Sequence, residues 1–212
     1  MNEELDAWLC SKYPEFFRFR NEAAEDSWMK EGFACGDGWF TLIDVMSELL
    51  VKHDPAIFAV QIKEKLGGLC FDHSATDDYS SGVQMAAEIL SKYVCDVCGA
   101  PGILDRSGNW WATRCASHAI GADGNQGQDI EISDAKHLKL GEAWTRLMVI
   151  LKKLADWHVE NNNATPSLFF INVSHAGRMN IQFARDDEVM RGMADVIAVY
   201  CNRVEEQSGL VI

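Results

Sequence analysis

No stretch of this chain approaches the roughly 18 consecutive apolar residues of a membrane-spanning helix. Basic side chains are scarce as well, 19 Lys and Arg against 32 Asp and Glu in 212 residues. The first lack excludes a helical membrane anchor. The second gives a formal net charge of −13, which repels phosphate backbones and disfavours generic nucleic-acid binding. An acidic surface suits a basic protein partner, or serves solubility alone. The start, Met1-Asn2-Glu3-Glu4, is acidic where a secretory signal is basic, so a cytoplasmic protein is expected. There is no Ser-His-Asp set, no Walker sequence and no glycine-rich phosphate loop, because Gly67-Gly68 reads only as a turn. Cys10, Cys35, Cys70 and Cys201 lack the spacing of a disulfide framework and read as small buried hydrophobes.

What is present is a metal-ligand pattern. Cys95-x2-Cys98-Gly99 is followed by Cys115-x2-His118, two close pairs at a separation that fits one hairpin. Three thiolates and an imidazole complete a tetrahedron around Zn²⁺ and leave no position for water or substrate, so the zinc is expected to be structural. Gly99 permits the sharp turn at the metal. A hairpin through Ile103-Leu104-Asp105, turning at Ser107-Gly108-Asn109 and returning through Trp110 to Thr113, leads to Cys115 and His118 on a short helix ending near Gly121. Knuckle, hairpin and helix in that order make a treble-clef-like finger. Trp110 and Trp111 are its candidate partner-binding residues, since aromatic side chains concentrate at interfaces.

Apolar spacing organises the remainder. Leu5, Trp8 and Leu9 predict a helix ended by Tyr13-Pro14, and the polar stretch Arg18 to Lys30 reads as a second short helix or surface segment. Trp39 to His53 predicts a helix, Ile57 to Phe71 a hairpin with Phe58, Val60 and Ile62 on one face, and Asp77 or Asp78 the start of another helix. After a Gly121 to Gly127 linker the order repeats: a helix over Leu138 to Val159, a hairpin with Phe169, Ile171 and Val173 on one face, and a helix begun by Asp186-Asp187. Trp39 then corresponds to Trp144, Pro55 to Pro166, Phe71 to Phe183 and Ala87 to Ala194. The expected fold is α+β: two αββα units sharing one four-stranded antiparallel sheet, with the finger between them. The segments are 1–34 (N-terminal helical segment), 35–94 (first unit), 95–130 (finger and linker) and 131–212 (second unit).

Gly38-Trp39 with Leu42-Ile43-Asp44, then Gln61 to Leu69, then Cys95-x2-Cys98-Gly99-x-Pro101-Gly102 with Trp110, Thr113, Cys115 and His118, resembles a family of short, uncharacterised bacterial and phage-encoded zinc-finger proteins. The resemblance covers about residues 36–118. Leu66 stands where that family usually has an aromatic, and Cys70 where it has Arg. It implies a finger-stabilised small protein of mobile elements, with no established activity.

Enzymatic readings are weaker. Asp54, Lys63 and Glu64 loosely match a metal-dependent nuclease, but Gln61 occupies the position of a second carboxylate. His158-Val159-Glu160 lacks the following Pro-Cys-x2-Cys of a zinc deaminase and reads as a frayed helix end. The expectation is a non-enzymatic binding protein acting on a protein partner or sequestering a ligand, such as a phage inhibitor or anti-defence factor; nuclease chemistry is the alternative.

Overall fold

Asn2, Asp77 and Asp187 each stand immediately before an acid-led helix, and each side chain accepts a hydrogen bond from a backbone N–H of the first turn. This is how an Asn or Asp cap offsets the unpaired donors of a helix start. In the computed structural model of the chain these helices are α1 (Glu3–Lys12), α3 (Asp78–Leu90) and α5 (Glu188–Cys201). The structure describes all residues except 22–23, 26, 107–108, 120–126, 128 and 186, and of 133, 134 and 136 the backbone alone. Most of the expected finger turn (Ser107, Gly108), nearly all of the Gly121 to Gly127 linker and Asp186 therefore lie outside the described residues. Two further helices, α2 (Phe40–His53) and α4 (Glu142–Asn162), and six strands complete the fold: β1 (Ala59–Lys65), β2 (Gly68–His73), β3 (Ile103–Asp105), β4 (Ala112–Arg114), β5 (Phe169–Val173) and β6 (Met179–Phe183). Helix and strand content is mixed, as an α+β chain requires. No described helix is long and apolar enough to cross a membrane.

The strands make three separate antiparallel hairpins, β1–β2, β3–β4 and β5–β6. This corrects the expected four-stranded sheet, and the backbone shows why. The outer edge of β1 is already occupied: Trp28 N–H donates to Val60 O (2.7 Å), Ala34 N–H to Ile62 O (3.1 Å) and Glu64 N–H to Ala34 O (2.8 Å). The outer edge of β2 is met by side chains, Leu69 N–H donating to Ser91 Oγ and Phe71 N–H to Glu88 Oε1. These backbone groups are then unavailable to another hairpin. Trp28, near the end of the Arg18 to Lys30 stretch expected as a polar helix or surface segment, and Ala34 beyond it thus cover the strand edge, with a 3₁₀ turn, Met29–Glu31, between them.

The hydrophobic face of β1 also differs from strict alternation. A register shift between Ala59 and Gln61 reverses the phase, so Ala59 and Ile62 are buried while Phe58 and Val60 are only half-buried. At the tip, Leu66 and Gly67 both adopt positive φ (52° and 75°), a tight two-residue turn whose twist suits the flanking strands.

Helices α3 and α5 cross at the centre, through glycines. A Cβ on Gly82 would lie 2.1 Å from Val189 O, and one on Gly192 would lie 2.3 Å from Tyr79 O. The contact is reciprocal: the fifth residue of each helix touches the second residue of the other. Hairpin β1–β2 packs on α3 and β5–β6 on α5, with α2 and α4 alongside. One continuous buried cluster runs from Leu9 and Phe16 through Trp39 and Phe71 to Met148, Ile197 and Val204.

One buried charge network fastens this arrangement. The Asp44 carboxylate accepts from Lys12 Nζ (2.7 Å), Tyr13 Oη (2.7 Å) and Arg203 (3.0 Å), and Arg203 also reaches Glu48 (2.6 Å). Burial, with the hydrogen bond to Asp44, pushes the Tyr13 hydroxyl's pKa up.

Candidate metal centre

The segment carrying the four candidate ligands is built against the start of α2. Trp39, fully buried, donates its indole N–H to Val94 O at 2.9 Å and so fixes the residue before the first ligand. The knuckle then turns: Gly99 (φ 76°) donates to Cys95 O at 2.9 Å, and Cys95 N–H to Ala100 O at 2.8 Å. Gly36 and Gly38 let the two backbones touch. A Cβ on Gly36 would sit 2.0 Å from Asp96 O and one on Gly38 2.1 Å from Cys95 O, while Gly38 N–H donates to Asp96 O at 2.9 Å. The Gly38-Trp39 pair is therefore a seat for the knuckle.

Strands β3 and β4 bring back the second ligand pair. Asp96 N–H donates to Thr113 O at 3.1 Å, Arg114 pairs with the Asp96 carboxylate, and Thr113 Oγ1 donates to Gly67 O at 2.6 Å. The last bond docks the β3–β4 hairpin on the β1–β2 tip. Cys115 is extended, and Ala116–His118 form a single 3₁₀ turn in which His118 N–H donates to Cys115 O at 3.0 Å. Where a short α-helix is expected, the described part is thus one tighter turn.

All four donor atoms, Sγ of Cys95, Cys98 and Cys115 and a ring nitrogen of His118, lie within 4.8 Å of one another. Cys98 Sγ is 3.7 Å from Cys115 Sγ, and His118 Nδ1 is 3.7 Å from Cys95 Sγ and 3.3 Å from Cys115 Sγ. A tetrahedral ion with metal–sulfur bonds of about 2.3 Å and a metal–nitrogen bond of about 2.0 Å has edges of about 3.8 Å and about 3.6 Å. The Cys98–Cys115 and Cys95–His118 separations match those edges, Cys115–His118 is slightly shorter and the other pairs lie within 4.8 Å, so the residues fit a four-coordinate metal. Burial pushes the Cys95 thiol up, but backbone N–H groups of Cys115, Cys98 and Val97 directed at its sulfur outweigh it and hold the thiol below its ordinary range. Burial raises Cys98 to about 11, and the adjacent sulfurs of Cys95 and Cys115 add to the rise. Sulfurs this close favour deprotonation together only when a cation sits among them.

The other expected site residues are not assembled in this way. Trp110 is 72% exposed and free of the knuckle. Trp111 is half-buried, with Arg106 over its ring at 5.1 Å. Asp54 follows α2, where its carboxylate accepts from Ala56 N–H at 2.9 Å; Glu64 lies at the far end of β1, accepting from Gly67 N–H at 2.6 Å. The structure therefore does not bring Asp54, Lys63 and Glu64 together as a metal-binding set. His158 is buried rather than frayed: its Nε2 faces Asp187 at 3.3 Å and its Nδ1 faces Asn162 at 3.1 Å.

A second donor group was not legible from spacing. Cys70, Asp72 and Glu88 also offer ligand atoms within 4.8 Å, beside a cavity of about 420 Å³ bordered by Lys92 and Trp111. These donors are used by the fold. Glu88 Oε1 accepts from Phe71 N–H and Gln84, and the Cys70 thiol faces Asp72. Cys35 and Cys201 are buried as expected, whereas Cys10 and Cys70 are half-buried beside Asp6 and Asp72.

Comparison of the chain with protein-family models, with curated proteins and with solved structures finds no match to any of them.

Proposed function

We propose that the protein is a zinc-stabilised, non-catalytic binding protein of the cytoplasm whose finger organises the fold and presents a surface to a protein partner. The observation that carries this reading is the Cys95, Cys98, Cys115 and His118 donor set, which suits a tetrahedral ion held by protein atoms alone. Zinc is the ion this chemistry selects, because three thiolates and an imidazole suit a borderline-soft cation without redox demands. With four protein ligands the metal keeps no position for substrate, so its role is structural. Knuckle, β3–β4 hairpin and ligand-bearing turn are read as a treble-clef-like finger.

The partner is read as a basic protein, drawn by the net charge of −13 and contacting Trp110, a large aromatic side chain left in solvent beside the more enclosed Trp111. The resemblance to finger proteins of bacteria and phage supports an inhibitory or anti-defence role. The two αββα stretches are read as copies of one unit, supported by the reciprocal glycine crossing; that register places Asp77 opposite Asp187 and Gly82 opposite Gly192, rather than Ala87 opposite Ala194.

Capture from a host lysate tests the partner. One stoichiometric partner, released by high salt and lost with Trp110→Ala while bound zinc stays unchanged, is the expected result. Mg²⁺-dependent cleavage of nucleic acid by the purified chain, abolished in Lys63→Ala, would overturn it in favour of a nuclease.

A further inference from the structure

The two large hairpins have four outer edges, and described residues meet three of them in part. Trp28 and Ala34 bond to β1, Ser91 and Glu88 accept from N–H groups of β2, and Asn202 meets β6 at Met179, accepting from its N–H (2.8 Å) and donating to its O (3.2 Å). The fourth edge, that of β5, receives no hydrogen bond from any described residue. Leu168 and Ser174 bond inward to Ala184 and Arg178. Antiparallel alternation then turns the N–H and C=O groups of Phe169, Ile171 and Val173 outward. Beside them runs an open groove of about 870 Å³ between β5 and α4, and Leu168 and Phe170 are 77% and 63% exposed. Long, uncharged, apolar edges are templates for strand addition, and this one carries none of the lysines, prolines or bulges that normally block it.

We propose that this edge pairs with β5 of a second copy of the chain, antiparallel and centred on Ile171, giving a four-stranded sheet in the order β6, β5, β5, β6 across a twofold axis. The register is self-complementary. Ile171 meets its own counterpart, and Phe169 meets Val173 of the other copy on the same face, so apolar side chains oppose one another along the seam. Charge permits it despite the net −13, because residues 166–174 carry no charged side chain. The twofold also brings the turn bearing His175 and Arg178 of one copy toward the end of α4 that carries Asp156 and Glu160 of the other, since α4 leads back into β5 through residues 163–168. This inference is independent of the identity of any partner at Trp110.

Sedimentation velocity on the metal-loaded full chain tests it, together with amide exchange by NMR. The expected mass is near twice the 23.7 kDa of one chain, with the amides of Phe169, Ile171 and Val173 protected. Ile171→Pro removes an outward N–H without breaking the hairpin's own pairing, and Val173→Lys places a charge at the seam. Each is expected to raise the dimer dissociation constant about a hundredfold and to release those amides, while metal content and far-UV spectrum stay unchanged. Should Ile171→Pro fail to fold, Val173→Lys decides. A wild-type chain that stays at 23.7 kDa throughout its soluble range, or a dimer that survives Val173→Lys, overturns the proposal.

Discussion

Asp44 shows how much one residue can carry. Its carboxylate is enclosed, and Lys12, Tyr13 and Arg203 reach it from three separate parts of the chain. Asp44→Ala would leave the buried Tyr13 hydroxyl only the longer bond to the backbone carbonyl of residue 44 (3.2 Å) and remove the anion opposite two cations. The expected loss is about 3 kcal/mol, at the low end for a broken buried pair because Lys12 and Arg203 still reach water; urea denaturation measures it. His73 gives the pH dependence. Burial lowers its pKa from the ordinary 6.5, only partly opposed by the Ser80 backbone, Asp77 and Asp72, and its buried Nε2 has no partner within hydrogen-bond distance among the described residues. The folded state therefore holds the neutral ring. The associated stability is present above about pH 6.5 and declines as pH falls through that value toward the lower folded pKa. His73→Leu is expected to flatten this part of the stability profile between about pH 7 and pH 5, the difference from wild type separating it from protonation of the metal ligands. Residue roles were unevenly legible. The four metal donors declare themselves by spacing, whereas Asp44 sits on an apolar helix stripe and His158 at the end of a polar one, with partners no local pattern announces.

Single elements fail or succeed at their contacts. Gly82→Ala would drive a Cβ into Val189 O, 2.1 Å away, and is expected to cost about 2–3 kcal/mol. Gly192→Ala strikes the same crossing from the other side, so the double variant is expected to lose less than the sum, a coupling that a thermal or urea double-mutant cycle measures. Leu66→Gly should act in the opposite sense. Leu66 holds φ 52° with an exposed side chain, and relief of that left-handed strain is expected to stabilise the hairpin by about 0.5–1 kcal/mol in the same assay. Apolar period and turn residues located the helices and hairpins within a few residues, because those signals are local. The bulge at Val60 and the strand cover from residues 28–34 were hidden, since an edge is chosen by whichever distant backbone reaches it first. Ser91, Glu88 and Asn202 meet strand edges only after their helices have packed.

For the molecule as a whole, the Cys95–His118 segment is a junction. Its knuckle rests on Gly36 and Gly38, its hairpin on Gly67, and Pro101 packs on Gly209. Removing the metal should therefore be felt well beyond the ligands. Chelation, or Cys98→Ser, is expected to release about one ion per chain and to lower stability by about 3–5 kcal/mol, which corresponds to a fall in Tm of about 10 °C; elemental analysis and calorimetry read the two effects. The shared sheet expected from the pairing of like with like is not seen within the chain, where Trp28, Ala34, Glu88 and Ser91 meet the edges of β1–β2, and α3 and α5 cross at paired glycines instead.

The tie between Asp44 and Arg203 spans 159 positions, and this bears on how the protein is made. A ribosome releases α2 long before Arg203 exists, so the nascent chain must keep that carboxylate in solvent or balance it with Lys12 alone. Closure of the interior around α2 is therefore expected to wait for Arg203, and a nascent chain that stops short of it to expose apolar surface of the kind chaperones bind.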